Sequence, residues 1–303
     1  MVQDTQDLLR IRGLGKRYGA FELRDVDLAV PAGAVVGLVG SNGAGKTTTI
    51  KAALGLVRPD AGLVELFGTR VTGEGAVPPA ERARLHERVG VVFDAVSLPR
   101  SLSVRDVRGL MRAAYAGWDD AAFARYTAAF GLADSLRVEQ LSRGMGMKLM
   151  LACALSHGAE LLVLDEATAG LDPLAREEAL GFIRQYLEVE GRGVLLSTHI
   201  TSDLERIADY VVCVDAGRVV FALEKDAITE VAGIARCRAG EYEQVVASGM
   251  YAPGELRVRR NPYGVDVLVP DRRAFGRAFG QVAVDRATIE EYMALTLKGE
   301  VAC

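Results

Sequence analysis

Five short apolar runs stand out along the chain: Ala34–Val39, Val89–Phe93, Leu161–Leu164, Gly193–Ser197 and Tyr210–Val214. None alternates with polar positions, which predicts strands buried on both faces, as in a parallel sheet. Leu8–Arg12 and Phe21–Val30 read differently. The second alternates apolar and polar residues before a turn at Pro31–Gly33, and the pair predicts a small antiparallel edge sheet. Between Asp94 and Gly158 the spacing becomes helical, over Val104–Ala116, Asp119–Phe130 and Gly144–Ser156, so an inserted helical lobe is expected across residues 94–158. A last hairpin near Val211–Ala222 turns at Ala216-Gly217, and the composition then shifts. This sets a boundary near Lys225. Beyond it, strands at Glu255–Arg259 and Val265–Val269 and helices at Arg272–Phe279 and Thr288–Leu297 predict a small α/β appendage. The expected class is α/β, a mostly parallel sheet of the RecA-like, P-loop kind with an antiparallel edge sheet, in domains 1–225 and 226–303.

The 303 residues suffice for one large domain and a small module. A net charge of -4 supplies no basic field for a nucleic-acid backbone, so nucleic acid is not expected as a partner. Cys153, Cys213, Cys237 and Cys303 are scattered without a C-x-x-C pair, which suits reduced thiols in cytoplasm. The opening MVQDTQDLLR lacks the basic flank and apolar stretch of a signal peptide. The most apolar region, Leu149–Leu164, is broken by Ser156, His157, Gly158 and Glu160, so no membrane-spanning helix is expected.

Candidate chemistry begins after the first buried run. Gly40-Ser41-Asn42-Gly43-Ala44-Gly45-Lys46-Thr47 satisfies G-x-x-x-x-G-K-[ST] between an apolar strand and a helical stretch from Thr47 to Leu56. Glycines let several N–H groups converge on phosphates at a positive helix end, and Lys46 adds a charge for the β- and γ-phosphates. The Thr47 hydroxyl is expected to ligate magnesium, and Thr48 to complete the nucleotide-binding run. This pattern alone says NTPase. Leu161–Leu164 then runs into Asp165 and Glu166. In P-loop enzymes the first acid supports magnesium, and an adjacent Glu166 is the natural general base for the attacking water.

Leu141-Ser142-Arg143-Gly144-Met145 resembles the LSGGQ signature of ABC ATPases, 96 residues after Lys46 and 23 before Asp165. Taken alone, Ser142 would be an ordinary N-cap. The ordered set changes that reading. Ala169-Gly170-Leu171-Asp172 is similar to the family's D-loop, and Ser197-Thr198-His199 to its switch-histidine motif. The resemblance covers roughly residues 8–222, and the short helical lobe together with the C-terminal appendage ending Asp285-Arg286-Ala287-Thr288-Ile289-Glu290-Glu291-Tyr292 resembles ATP-binding subunits of bacterial ABC-2-type exporters. It implies ATP and magnesium as cofactors, a γ-phosphate contact for His199, phosphate contacts from Ser142 and Gly144, and adenine stacking on Tyr18. Asp94 takes the place of the family's magnesium-touching glutamine, and Arg143 and Met145 also depart from the pattern.

The resemblance further implies a homodimer or a heterodimer with a second ABC ATPase, because one chain carries one motif set. A transmembrane permease subunit would hold the protein on the inner face of the cell membrane and would determine the cargo. Two rivals fit less of the sequence. A non-transport ABC ATPase acting on nucleic acid or the ribosome would bring a second motif set, a charged linker or long heptads, none of which occurs here. A small-molecule kinase on the same P-loop leaves Ser142, Asp172 and His199 without a role.

Overall fold

The computed structural model describes residues 6–252 and 254–302. Its contacts divide the chain into two compact units. One runs to Ile200 and includes Val214–Val219; the other takes Thr201–Cys213 and the chain from Val220 onward.

In the first unit, β1 (Asp7–Tyr18) and β2 (Phe21–Pro31) form an antiparallel pair, followed by β3 (Val35–Val39) and α1 (Lys46–Ala53). Next come β4 (Ala61–Leu66), β5 (Thr69–Arg70), α2 (Pro79–Glu87) and β6 (Val89–Val92). The lobe follows as α3 (Val104–Ala114), α4 (Asp120–Ala129) and α5 (Arg143–Leu155), and then β7 (Leu161–Asp165), α6 (Pro173–Leu187) and β8 (Gly193–Ser197). Strands β3, β8, β7 and β6 lie side by side in that order, with parallel register throughout. Every residue of β3, β7 and β8 is buried, which explains their unbroken apolar sequences. The parallel arrangement brings the C-terminal ends of β3, β7 and β8 to one edge, where ligands of open α/β sheets bind.

The edge sheet has the order β2-β1-β4-β5. Its β1 is longer than Leu8–Arg12, because Gly13 takes a φ of 58° and register shifts near Leu14 let pairing resume as far as Tyr18. Helices α2 and α6 and strand β4 were not predicted. In α2 only Leu85 is buried, so no apolar stripe marks it.

Chain continues through α7 (Thr201–Ile207), β9 (Tyr210–Asp215) and β10 (Arg218–Glu224); Ala216 and Gly217, between the two strands, have φ of 44° and 77°, as a tight hairpin turn requires. The second unit contains β11 (Gly233–Cys237), α8 (Ala239–Ala247), β12 (Arg257–Asn261), β13 (Gly264–Val269), α9 (Arg272–Ala278), β14 (Ala283–Arg286), α10 (Ile289–Lys298) and β15 (Glu300–Val301). Five of these strands make an antiparallel sheet ordered β14-β11-β13-β12-β15. Phe275, Tyr242 and Val245 pack with Val267 and Val258 in one cluster, and Leu295 packs with Ile234 and Leu268 in another. Among the described residues, no helix is long and apolar enough to cross a membrane.

Candidate active site

The loop from Gly40 to Gly45 joins the end of β3 to α1. Two of its glycines are required by space as well as by backbone angle. At Gly40, φ is 155° and a Cβ would fall 2.1 Å from the Val214 carbonyl oxygen; at Gly45, φ is 119° and a Cβ would meet Leu23 Cδ2 at 2.5 Å. Gly45 is also the N-cap of α1. No side chain caps that helix, and its first turn contains no acid, so its free N–H groups and positive dipole end are left for an anion. Lys46 is buried and folds back, donating from Nζ to the carbonyls of Gly40 at 2.8 Å and Ser41 at 3.2 Å. Ser41 in turn donates to Asp215 at 3.2 Å, and Ala44 N–H donates to the Ser41 carbonyl.

Across this loop stands the end of β7. Thr47 Oγ1 donates to Asp165 Oδ2 at 2.8 Å, joining residues 118 positions apart. Asp165 is 1% exposed, and its second oxygen, Oδ1, is buried without a hydrogen-bond partner. A lone buried carboxylate oxygen is costly unless a cation or donor completes it. Thr47 and Asp165 present oxygens suited to a hard divalent cation that keeps waters and phosphate oxygens as its other ligands, and Asp94 and Glu166 line the cleft beside them, although among the described residues no three acidic, His or Cys side chains gather into a metal cage. The residues present therefore fit magnesium.

Glu166 sits immediately beyond the strand with a φ of 55°, in the left-handed region that non-glycine residues avoid. Its N–H donates to the Ser197 carbonyl at 2.9 Å and its carbonyl accepts from Ala169 at 3.0 Å, which holds the unfavourable angle. His199 donates to Glu166 Oε2 at 2.6 Å from Nδ1, the only proton arrangement a carboxylate partner accepts, and adds a longer bond from its own N–H. The ends of β7 and β8 thus carry a carboxylate and an imidazole in direct contact.

A cleft of about 570 Å³ collects these groups. Asn42, Gly43, Gly45, Lys46, Thr47, Thr48, Asp94 and Glu166 line it, together with Phe21. Gly40, Ser41 and Ala44 belong to the loop beneath, and Asp165 and His199 reach the cleft through Thr47 and Glu166. Tyr18 is 46% exposed and is not part of the lining. Ser142 and Gly144 also lie outside it. Ser142 caps α5, accepting from Met145 N–H at 3.2 Å, and a Cβ on Gly144 would meet the Gly170 carbonyl at 3.2 Å, so the start of α5 lies close against the Ala169–Asp172 loop. Asp172 caps α6 through the N–H groups of Ala175 and Leu174; these bonds hold its carboxyl below the usual range. Sequence reasoning missed Phe21. The available signal was an aromatic facing Tyr18 across the two-residue turn Gly19-Ala20.

The ABC transporter family profile matches residues 23–169. A Nod factor export ATP-binding protein I from Ralstonia nicotianae is 36% identical over 222 residues, covering 70% of this chain and 66% of the relative. A daunorubicin resistance ATP-binding protein, DrrA3, from Streptomyces coeruleorubidus is 38% identical over 218 residues, covering 70% and 66%. The alignment thus spans just under two thirds of the length of these two relatives. A solved structure of an ATP binding subunit of an ABC transporter aligns with a TM-score of 0.65 and 32% identity, covering 73% of this chain and 91% of that one. With the phosphate loop, the paired acids and the histidine assembled on one sheet edge, the chain belongs to the ATP-binding subunits of ABC transporters.

Proposed function

We propose that this chain is the ATP-hydrolysing subunit of an exporter, working through a separate transmembrane permease subunit and in a pair with a second ABC ATPase. The observation that carries the hydrolytic half is the Glu166–His199 contact at the mouth of a cleft whose floor is an uncapped helix end. In this reading the N–H groups at the start of α1 and Lys46 hold the triphosphate, with Gly40, Ser41, Asn42, Gly43, Ala44, Gly45, Thr47 and Thr48 shaping its cradle. Thr47, Asp165 and Asp94 would hold magnesium, which when bound would neutralise phosphate charge. Glu166 accepts a proton from the attacking water, and His199 keeps that carboxylate oriented and reaches toward the γ-phosphate. Tyr18 stacks on the base, while Ser142 and Gly144 serve the nucleotide of the opposing subunit.

Export is supported by the names of the two relatives above, one a Nod factor export protein and the other a drug-resistance protein. Residues 1–225 would supply the engine, and residues 226–303 an accessory domain. Attachment to the inner face of the cell membrane would come from the permease.

The test compares ATP turnover by the purified wild type with Glu166→Gln, while light scattering follows ATP-dependent dimerisation. Hydrolysis by the wild type and an accumulating ATP-bound dimer of the variant are expected. Normal turnover by Glu166→Gln would remove Glu166 from the mechanism.

A further inference from the structure

The nucleotide reading leaves one cleft-lining side chain without a task, and its position is specific. Phe21 opens β2 directly opposite Tyr18, the last residue of β1, so the two rings flank the Gly19-Ala20 turn as a cross-strand pair on one face of the sheet. Lys16 Nζ, fixed by Asp60 at 2.9 Å, lies 5.3 Å from the Tyr18 ring centre, which occupies one face of that ring. A Cβ on Gly45 would lie 3.1 Å from Phe21 Cζ, so the ring edge stands against the residue that caps α1, the helix end to which the nucleotide reading assigns the phosphates. Phe21 is half-buried and is the one aromatic group in the cleft wall.

We propose that Phe21 is a second nucleotide-binding aromatic, an inner wall that packs on the ribose and the near edge of the base while Tyr18 supplies the outer stacking face. This rests on the nucleotide reading of the cleft and extends it. The phosphate loop fixes one end of the ligand at α1, and Phe21 stands between that end and Tyr18, so a nucleoside leaving the phosphates toward Tyr18 must pass over it. The ring offers an apolar face and no hydrogen bond, so it acts on nucleoside affinity and not on the γ-phosphate or the attacking water.

The test measures binding of ATP, ADP and inorganic tripolyphosphate to the full chain, wild type against Phe21→Ala and Phe21→Leu, together with steady-state turnover. Phe21→Ala should weaken ATP and ADP equally, by about tenfold, the scale of losing one ring contact with a nucleotide. Tripolyphosphate affinity should be unchanged, KM for ATP should rise with kcat retained, and Phe21→Leu should recover part of the loss. Unchanged ATP and ADP affinity in Phe21→Ala would overturn the inference and leave the nucleotide reading intact. Equal loss of tripolyphosphate binding would also overturn it, by making Phe21 a mere support for the phosphate loop. A wild type that binds none of the three would instead defeat the nucleotide reading itself.

Discussion

The two units each contain a buried aspartate on a sheet, and these are treated in opposite ways. Asp165, at the end of a parallel strand, has one oxygen bonded to Thr47 and the other left without a partner. Asp266, within the antiparallel strand β13, is closed on both sides: Arg236 lies 3.0 Å from one oxygen and Arg259 lies 3.1 Å from the other. Arg236 also reaches Asp285 and Glu291, so the charges of this cluster are paired among themselves. A buried acid whose partners are all present is structural. One with a vacant lone pair beside a positive helix end is poised for something the chain does not supply. Backbone geometry repeats the contrast, since Glu166, next to Asp165, holds a left-handed φ of 55° at the strand end.

Exchanging the two aspartates is the sharpest way to break this comparison. Asp165→Asn should lower ATP turnover by at least about 100-fold, because it removes a charge aimed at the cation and phosphates, while its melting temperature changes little. Asp266→Ala should do the reverse. Removing the acid leaves Arg259 without its partner and costs about 2 kcal/mol in a denaturant titration, less than a fully buried pair because the arginines are partly exposed, with turnover retained under native conditions. Inactivation by Asp266→Ala without loss of stability would erase the distinction.

Acid sharpens the comparison further. Burial pushes the Asp266 carboxyl up, but Arg236 and Arg259 outweigh it and hold it below its ordinary value of 3.8. A depressed carboxyl gives stability that is complete above the unfolded value and is lost as pH falls through the folded one. The second unit should therefore resist acid until below about pH 4. In the first unit His157 is buried between the carbonyls of Cys153 and Val89, and burial holds its imidazole below 6.5 despite both contacts. The unfolded chain then takes up the proton first, so stability falls as pH drops below about 6.5, with His157 contributing at most about 1.4 kcal/mol per pH unit. Unfolding curves between pH 7 and pH 5 should slope for the wild type and slope less steeply for His157→Gln, because burial and the nearby Arg82 hold the His86 imidazole low in the same way.

The smallest expected effect lies in the appendage. Thr288 caps α10 by accepting from Glu291 N–H at 3.0 Å, and the Glu291 carboxylate returns a bond to Thr288 N–H. Thr288→Ala should cost about 1 kcal/mol in thermal unfolding and leave ATP binding unchanged. An altered nucleotide affinity would mean that this unit communicates with the cleft.

Legibility in the sequence followed the range over which each feature is built. The phosphate loop was readable because its glycines, lysine and threonine act within eight consecutive residues, bounded by a buried strand and a helix. The parallel strands announced themselves by unbroken apolar runs. Strand β11, whose five residues are interrupted by Arg236, and α2, with a single buried side chain, gave no comparable signal. Phe21 was missed for another reason. Within β2 it reads as one more apolar position in an alternating strand, and only the register with Tyr18 and the approach to Gly45 make it part of the cleft.

By itself, the sequence determined the class of sheet, the order of the motifs and the identity of the chemical groups, because strand burial and phosphate-loop geometry are short-range properties of the chain. Tertiary structure alone decided which groups meet. Thr47 finds Asp165 across 118 positions and His199 finds Glu166 across 33, because the parallel order β3-β8-β7 brings distant strand ends to one edge. It also decided that Asp165 keeps an unpartnered oxygen while Asp266 does not, since that depends on which arginines the folded chain brings within about 3 Å, the reach of a hydrogen bond.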